Sequence, residues 1–362
     1  MSRHVLMVID SLRVGGAERI TLSLANEFVK QGVTVDIIGI YDYVEYEIPS
    51  DVGYHTLHYK KRAFQNYIYS KKLQKKIEVL ETQQEKPYDL ILVHLLKSAR
   101  LLQNYQHKNL YYILHSTMSK ESLSGLTGAK YQRKLKRLKK KFEDKNLIAV
   151  SKGIAYDLQE VVKIRPKSLE VIYNPLDIEM IQTLAEEKND FKMKEPYIVH
   201  LGRLEYVKRH DLLLEAFKQT KLASKLVLIG EGTMRAKIEK HIVALGLEDR
   251  VLLVGMKTNP YPILKNAKLL VLTSEYEGLS MAILEALALE TAVVSVDAPF
   301  GPREIMEGYL DDALVVQNDT QRLSEVIKKQ YENPLPIPSH ILDRFDAKIV
   351  VLKYLDLIDK VR

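Results

Sequence analysis

Short runs of consecutive apolar residues recur along this 362-residue chain, and stretches rich in helix-forming residues separate most of them. Such runs are typical of strands that are buried on both faces, and strands that alternate with helices form parallel sheets. The chain is therefore predicted to be an α/β protein. The runs form two series, Val5–Ile9, Val33–Ile40, Asp89–His94, Tyr111–His115, Ala149–Ser151 and Glu170–Tyr173, then Tyr197–Leu201, Leu226–Ile229, Val251–Val254, Leu269–Thr273 and Ala292–Val296.

Two series of strands predict two doubly wound, Rossmann-like domains, which fits the usual domain size for a chain of this length. The first domain is predicted over residues 1–175 and the second over residues 176–338. A polar spacer follows the start of the second domain, and the proline-rich segment from Asn333 to Pro338 ends it. A last helix is predicted over residues 339–362.

The composition is that of a soluble globular protein, with 46% hydrophobic and 28% charged residues. No apolar run is long enough to span a membrane, Asp10 interrupts the first apolar run too early for a signal peptide, and there are no cysteines. These features fit a cytoplasmic protein. Residues 1–170 carry 29 Lys and Arg against 18 Asp and Glu, so the net charge of +7 is concentrated in the first half.

The stretch from Leu272 to Ala288 combines the end of a strand, a break at Glu277–Gly278 and a helix that begins near Ser280. The first turn of a helix has unpaired backbone N–H groups and a positive dipole end, so it can bind an anion such as a phosphate. Glu277 precedes this helix and Glu285 lies inside it. A nucleoside diphosphate joined to a sugar has the same layout, although two solvated surface glutamates would give the same pattern.

Two other loops at strand ends carry residues that suit a phosphate. Gly15 and Gly16 follow the first strand and precede a helix, where glycines let a backbone approach closely, although a plain tight turn needs them too. Arg203 and Lys208 follow another strand, and their charges can bind phosphate oxygens or lie loose on the surface. Gly230 and Gly232 form only a degraded dinucleotide fingerprint and are interpreted as structural turn glycines.

Two predicted strands of the first domain end in histidine, His94 and His115. Open α/β sheets bind their ligands at the carboxyl ends of the strands, so both are candidates for a site. His115 is the better one because the polar residues Ser116, Thr117 and Ser119 follow it. A structural, hydrogen-bonded histidine is the alternative at either position.

Residues 130–142 predict a strongly basic helix with one narrow apolar stripe, formed by Tyr131, Leu135, Leu138 and Phe142. Such a helix can lie on an anionic membrane surface, contact an anionic acceptor, or be a solvated helix whose stripe faces the core. Nucleic acid is disfavoured because no aromatic residues are interleaved for base stacking. The residues assigned to a membrane or acceptor surface are Arg133, Lys134, Lys136, Arg137 and Lys140.

In this order along the chain, these features resemble the retaining glycosyltransferases of family four, which have the GT-B fold of two Rossmann-like domains facing a central cleft. The resemblance covers essentially the whole chain, and the spacing of Glu277 and Glu285 is its most specific part. The segment Gly301–Glu304 resembles bacterial enzymes of surface-polysaccharide assembly. The other matching segments are Gly15–Arg19, Val150–Lys152, Tyr173–Asp177, Gly202–Arg203 with Lys208, and Leu245–Leu247.

The resemblance implies a role for each matching residue. Arg203 and Lys208 would neutralise the leaving diphosphate, Glu277 would hold the transferred sugar, and His115 would lie near the reacting carbon. The last helix would cross back to the first domain. The residues that would bind the donor are Gly15, Gly16, Gly202, Met256, Gly278, Leu279, Ser280, Met281 and Glu285.

The resemblance also implies transfer from a nucleotide sugar, such as a UDP-sugar, to a saccharide or lipid-linked acceptor with retention of configuration. Two fixed cations and a helix N-terminus would stabilise the charge on the leaving phosphate. The sequence offers no aspartate-x-aspartate motif at a strand end, so neither a metal nor another cofactor is expected. A nucleotide-sugar epimerase on the same fold and a non-catalytic binder of anionic surfaces are the alternatives. The protein is expected in the cytoplasm, with possible attachment to the inner membrane face.

Overall fold

The computed structural model describes residues 3–13, 15–60 and 65–360. The chain divides into two compact units, which are considered one at a time. Unit 1 consists of residues 1–175 and 345–362, and unit 2 consists of residues 176–344. Among the described residues, no helix is long and apolar enough to cross a membrane.

The described part of unit 1 contains a parallel sheet of seven strands in the order β3-β2-β1-β4-β5-β6-β7. Its central strands are apolar and buried, as the uninterrupted apolar runs predict. The strands are β1 His4–Ile9, β2 Thr34–Gly39, β3 Val52–Thr56, β4 Leu90–His94, β5 Leu110–Leu114, β6 Asn146–Ala149 and β7 Ser168–Val171. The helices before the boundary are α1 Gly16–Lys30, α2 Gln65–Gln83, α3 Leu96–Leu102, α4 Met118–Leu123, α5 Gly128–Phe142 and α6 Lys152–Tyr156.

Unit 2 contains a second parallel sheet, of six strands, in the order β10-β9-β8-β11-β12-β13. The strands are β8 Tyr197–Leu201, β9 Lys225–Ile229, β10 Val251–Leu253, β11 Leu269–Leu272, β12 Val293–Val296 and β13 Leu314–Val315. The helices are α7 Ile178–Ala185, α8 His210–Thr220, α9 Arg235–Leu245, α10 Tyr261–Lys265, α11 Met281–Ala288, α12 Pro302–Met306 and α13 Thr320–Glu332. The prediction of two parallel-sheet, Rossmann-like domains is confirmed.

The order of strands fixes where each sheet can bind a ligand. In unit 1 the order reverses between β1 and β4, and in unit 2 it reverses between β8 and β11. Ligands of open α/β sheets bind outside the carboxyl ends of the strands at such a switch point. The loops after these four strands are therefore where a site is expected in each unit.

The last helix is shorter than predicted. Helix α14 spans Ala347–Asp359, whereas residues 339–346 form turns and a short 3₁₀ segment, and residues 361 and 362 lie outside the described range. The reason is a helix cap: the Asp346 carboxylate accepts a hydrogen bond of 2.9 Å from the backbone N–H of Lys348 and so begins the helix there.

Helix α14 packs on α1, although the two helices lie at opposite ends of the chain. The Tyr354 ring meets the Phe28 ring edge-on at 6.1 Å, and Arg3 forms an ion pair of 2.8 Å with Asp359. Tyr354 and Phe28 are almost fully buried. The end of the chain thus completes the core of unit 1.

Candidate functional site

In unit 2, two loops at the switch point meet through an ion pair. The Lys208 ammonium, in the loop after β8, lies 2.6 Å from Oε1 of Glu277, in the loop after β11. The Ser274 hydroxyl donates a second hydrogen bond of 2.6 Å to the same oxygen. Both charged side chains are largely buried, with 17% and 13% of their surface exposed. The structure thus brings together two of the residues that the sequence predicts to act together.

The backbone around Lys208 is held by the neighbouring strand end. The Thr273 hydroxyl donates to the carbonyl oxygens of Lys208 and Arg209, at 2.8 and 3.1 Å, and the Glu275 N–H donates to the carbonyl of Val207 at 2.7 Å. These contacts support Arg209 in a left-handed conformation, with φ of 48°, which non-glycine residues rarely adopt. Thr273 and Ser274 were not identified as site residues, although their position at a strand end was the available signal.

Arg203 lies in the same loop, but its side chain is exposed and points into a different neighbourhood. It contributes to a lowered pKa of Glu205, whose main causes are hydrogen bonds from the backbone and hydroxyl of Thr233. The Lys208 side chain instead passes over Gly202, where an added Cβ would lie 3.2 Å from the lysine Cε. The loop thus contains one cation that is fixed by a carboxylate and one that is free to move.

The glycines at 230 and 232 hold this loop from below. A Cβ at Gly230 would lie 2.0 Å from the carbonyl oxygen of Gly202, and a Cβ at Gly232 would lie 2.4 Å from that of Leu204. Gly230 also has φ of 143°, outside the range of other residues. The interpretation of these two residues as structural turn glycines is confirmed.

Helix α11 begins directly after the Glu277–Gly278 turn. Ser280 is its N-cap residue, and the Ser280 hydroxyl does not cap the helix. Leu279 and Ser280 are buried, whereas Met281 is partly exposed. Gly301 packs against this turn, since a Cβ there would lie 2.9 Å from that of Glu277. The predicted anion site is therefore a helix start beside the ion pair.

Glu285 lies inside α11 and is only 5% exposed. The Tyr261 hydroxyl donates a hydrogen bond of 3.3 Å to its carboxylate. Burial with a polar partner sets it apart from an ordinary surface glutamate, for which full exposure is typical. Met256, at the end of β10, is 54% exposed and lies next to Gly255, whose carbonyl accepts from the Gly230 N–H at 2.9 Å.

Two buried histidines beside the ion pair were not recognised from the sequence. His200 is in β8 and donates from Nδ1 to the carbonyl of Val271 at 2.9 Å, and the ring of His210 packs on it at 4.7 Å. Burial lowers the pKa of both, to about 4 for His210, and the charge of Lys208 contributes to both shifts. The signal that could have identified His200 is a histidine in an otherwise apolar strand.

In unit 1, Gly15 and Gly16 lie between β1 and α1. Gly15 is extended, and a Cβ there would meet the Glu18 carboxylate at 2.3 Å. A Cβ at Gly16 would meet no described atom within 4 Å. The first glycine is thus required by local packing, whereas the second faces open space at the switch point of the sheet.

The two predicted histidines of unit 1 contact each other. Nδ1 of His94 lies 3.1 Å from Nε2 of His115, and the two rings stack at 5.3 Å. Burial lowers the pKa of His94 well below its usual value and that of His115 to about 4, so both rings are neutral at pH 7. Nδ1 of His115 is buried and has no hydrogen-bond partner among the described residues.

The basic helix is α5. Only Leu138 and Phe142 of its described residues are buried, and Arg133, Lys136, Arg137 and Lys140 are exposed while Lys134 is partly exposed. Lys141 differs, because its ammonium donates to the carbonyl of Leu96 at 3.2 Å and burial lowers its pKa to about 8. Most of the positive charge of this helix therefore faces solvent in unit 1.

No group of three or more His, Asp or Glu side chains among the described residues is arranged to hold a metal ion. The chemistry that these positions offer is that of cations, a helix start and neutral imidazoles. Such groups can bind and stabilise an anion without contributing a bond of their own.

Comparison with known proteins identifies the family. The model of Glycosyltransferase Family 4 matches residues 14–180, and that of glycosyl transferases group 1 matches residues 182–344. The chain is 33% identical over 215 residues to the N-acetylgalactosamine-N,N'-diacetylbacillosaminyl-diphospho-undecaprenol 4-alpha-N-acetylgalactosaminyltransferase of Campylobacter jejuni, covering 57% of this chain and 58% of that protein. It is 27% identical over 208 residues to the lipopolysaccharide 1,6-galactosyltransferase of Salmonella typhimurium, covering 55% and 56%. The matched region spans about half the length of these two relatives.

Solved structures extend the likeness to the whole chain. The structure of Anabaena HepE in complex with UDP and glucose has a TM-score of 0.80 at 20% identity and covers 99% of this chain and all of that one. Staphylococcus aureus TarM, solved with UDP, has a TM-score of 0.73 at 15% identity, with coverage of 99% and 100%. At these identities the likeness shows the fold, which is GT-B. The chain belongs to the family-four glycosyltransferases, with a group 1 glycosyltransferase region in its second half.

Proposed function

We propose that this protein transfers a sugar from a nucleotide-sugar donor, a UDP-sugar, to a saccharide or lipid-linked acceptor in the synthesis of bacterial cell-surface polysaccharide. The observation that carries the proposal is the buried Lys208–Glu277 ion pair beside the start of α11. The names of the Campylobacter and Salmonella relatives support the acceptor class, and the UDP complex of HepE supports the nucleotide.

The proposed chemistry follows from the charges. When the bond between the sugar and the diphosphate breaks, negative charge builds on the leaving phosphate. Lys208, Arg203 and the first amides of α11 would stabilise that charge, and Glu277 would exchange its contact with Lys208 for the hydroxyls of the sugar. Glu285 would bind the ribose hydroxyls. Because these groups supply the stabilisation, we propose transfer without a metal and with retention of configuration.

The proposal predicts that Lys208→Ala and Glu277→Ala each lower turnover by about 10²–10³, since each removes a group that acts on the reacting bond. The measurement is transfer of radiolabelled sugar from a panel of UDP-sugars to undecaprenyl-linked saccharides, with and without EDTA, and NMR of the product for its anomeric configuration. Circular dichroism of each variant checks that the fold is intact.

Lys329 provides a matched control, because it forms an exposed ion pair of 2.8 Å with Asp312 in the same unit. Lys329→Ala should leave turnover unchanged. Full activity of either site variant would overturn the assignment of these residues. An epimerised UDP-sugar formed without any acceptor would replace the transferase by an epimerase.

We further propose that the exposed face of α5 binds the anionic surface of the membrane that carries the acceptor. The segment of α5 has eight Lys or Arg residues and no Asp or Glu, and each basic residue near an anionic surface adds about 1 kcal/mol. We predict that the protein sediments with phosphatidylglycerol vesicles and not with phosphatidylcholine vesicles, and that 0.5 M salt, about ten times the ionic strength of a low-salt buffer, releases it.

The combined variant Arg133→Gln, Lys136→Gln, Arg137→Gln and Lys140→Gln should remove this binding. Helix α2 offers the control, since Lys71→Gln, Lys72→Gln, Lys75→Gln and Lys76→Gln remove the same charge from exposed or partly exposed positions elsewhere in unit 1. Equal loss of binding in both variants would mean that net charge alone, and not α5, attaches the protein.

A further inference from the structure

A chain of three hydrogen-bonded side chains leads from α1 to His115 in unit 1. The Thr21 hydroxyl donates to the carbonyl oxygen of Ala17 at 2.8 Å, and its oxygen lies 3.2 Å from Nδ1 of His94. The same Nδ1 lies 3.1 Å from Nε2 of His115. Thr21 and His94 have no exposed surface. A fully buried threonine thus faces the nitrogen through which the two histidines meet.

The position of each proton follows from this arrangement. The single hydroxyl proton of Thr21 is used for the carbonyl of Ala17, the shorter contact, so the oxygen presents only lone pairs to His94. Nδ1 of His94 must then carry its proton, because two lone pairs would otherwise face each other. A neutral imidazole has one N–H, and Nε2 of His115 must therefore accept, which leaves the proton of His115 on Nδ1.

We propose that His94 is a positioning residue, which fixes the tautomer of His115 so that Nδ1–H of His115 can donate a hydrogen bond to an oxygen of the sugar substrate. The buried Nδ1 of His115 has no partner among the described residues, and a donor in that position is satisfied by a hydroxyl or anionic oxygen. The inference rests on the proposed transferase function for the identity of the acceptor oxygen, and on the geometry of unit 1 for the tautomer.

The tautomer can be measured without substrate. Long-range ¹H–¹⁵N correlation spectra of the full-length protein report which imidazole nitrogen carries the proton, and His115→Gln assigns its signals. We expect His115 to be protonated at Nδ1 alone. Thr21→Val is nearly isosteric and removes the lone pairs that face His94, so it should give a mixture of tautomers at His115, whereas Thr21→Ser should restore one. Protonation of His115 at Nε2 in the unaltered protein would overturn the inference.

Two substitutions of His94 separate the donor from the bulk of the ring. The amide nitrogen of asparagine lies where Nδ1 of histidine lies, whereas that of glutamine lies near Nε2. His94→Asn should keep kcat within about threefold, and His94→Gln should lower kcat by about 10–100-fold with little change in KM, as for other groups that orient a functional imidazole. Equal activity of the two variants would contradict a positioning role.

The results also distinguish this inference from the proposed function. A Nδ1 tautomer in a protein with no transferase activity would leave the role of His94 intact and remove the sugar as its target. Transferase activity with the wrong tautomer would remove only the role of His94.

Discussion

The glycine loops of the two units show how differently two related sites can be built. In unit 2, Gly230 and Gly232 are pressed against the backbone of the loop that carries Lys208, and Lys208 is paired with a carboxylate. In unit 1, a side chain at Gly16 would meet open space, and Nδ1 of His115 has no partner among the described atoms. The site residues of unit 2 are thus mostly satisfied internally, whereas those of unit 1 are not.

This difference has a consequence for binding. A ligand of unit 2 must exchange with the Lys208–Glu277 ion pair, so its affinity is the difference between two strong sets of contacts. In unit 1, a ligand would add a hydrogen bond to a group that is already desolvated, which avoids the cost of an unpaired buried donor. Glycines in the two units should accordingly fail in different ways when they are replaced.

The largest effect is expected at Gly230. Gly230→Ala should lower the free energy of unfolding of unit 2 by about 2–5 kcal/mol, because it forces a Cβ against a carbonyl oxygen at a φ that alanine avoids. Gly16→Ala should change stability by less than about 0.5 kcal/mol, yet lower kcat/KM for the donor by about tenfold or more if a diphosphate approaches that amide. Urea denaturation and steady-state kinetics measure the two quantities.

Gly246→Ala is the control for these substitutions. Gly246 has φ of 66° at the end of α9 but open space around its Cβ, so it tests backbone strain without crowding. It should cost about 1 kcal/mol and leave activity intact. A fully active Gly16→Ala enzyme would remove Gly16 from the donor site, and a stable Gly230→Ala protein would remove the contrast between the units.

The sequence predicted the parts of the fold in which each strand is a complete apolar run. It did not predict β3 or β13, because these edge strands lack that signal: β3 contains Gly53 and His55 and is only half-buried, and β13 has two residues. The final helix was predicted to begin at Ser339, whereas the cap at Asp346 delays it to Ala347. Short polar caps and edge strands depend on tertiary neighbours that a single sequence does not reveal.

The site was predictable where one motif carries its own geometry. Glu277 and the start of α11 follow from a strand, a break and a helix in one stretch. The contacts that complete it come from residues far apart in sequence, such as His200 with Val271 and Thr273 with Lys208. Which partner a buried polar group finds depends on packing between strands, and no spacing within either segment specifies it.

A smaller effect is expected from acid. His94 and His115 in unit 1, and His200 and His210 in unit 2, are held neutral by burial, with pKa values of about 4 for His115 and His210. The unfolded chain binds protons at these histidines below about pH 6.5, and the folded protein does not. Stability should therefore fall as the pH decreases from about 6.5 to about 4, by up to about 1.4 kcal/mol per pH unit for each group.

The two units should differ in this acid response, because Lys208 lies beside the histidines of unit 2. Its positive charge contributes to the lowered pKa of His210, after burial. The neutral pair Lys208→Met with Glu277→Gln should raise the pKa of His210 and flatten the pH dependence of unfolding in unit 2, while the signals of His94 and His115 stay unchanged. Urea titrations between pH 4 and about 7, with histidine NMR shifts as the local probe, measure both responses. If the variant moved the signals of His115 as much as those of His210, the ion pair would not act locally, and the internal satisfaction of unit 2 would not explain the contrast between the units.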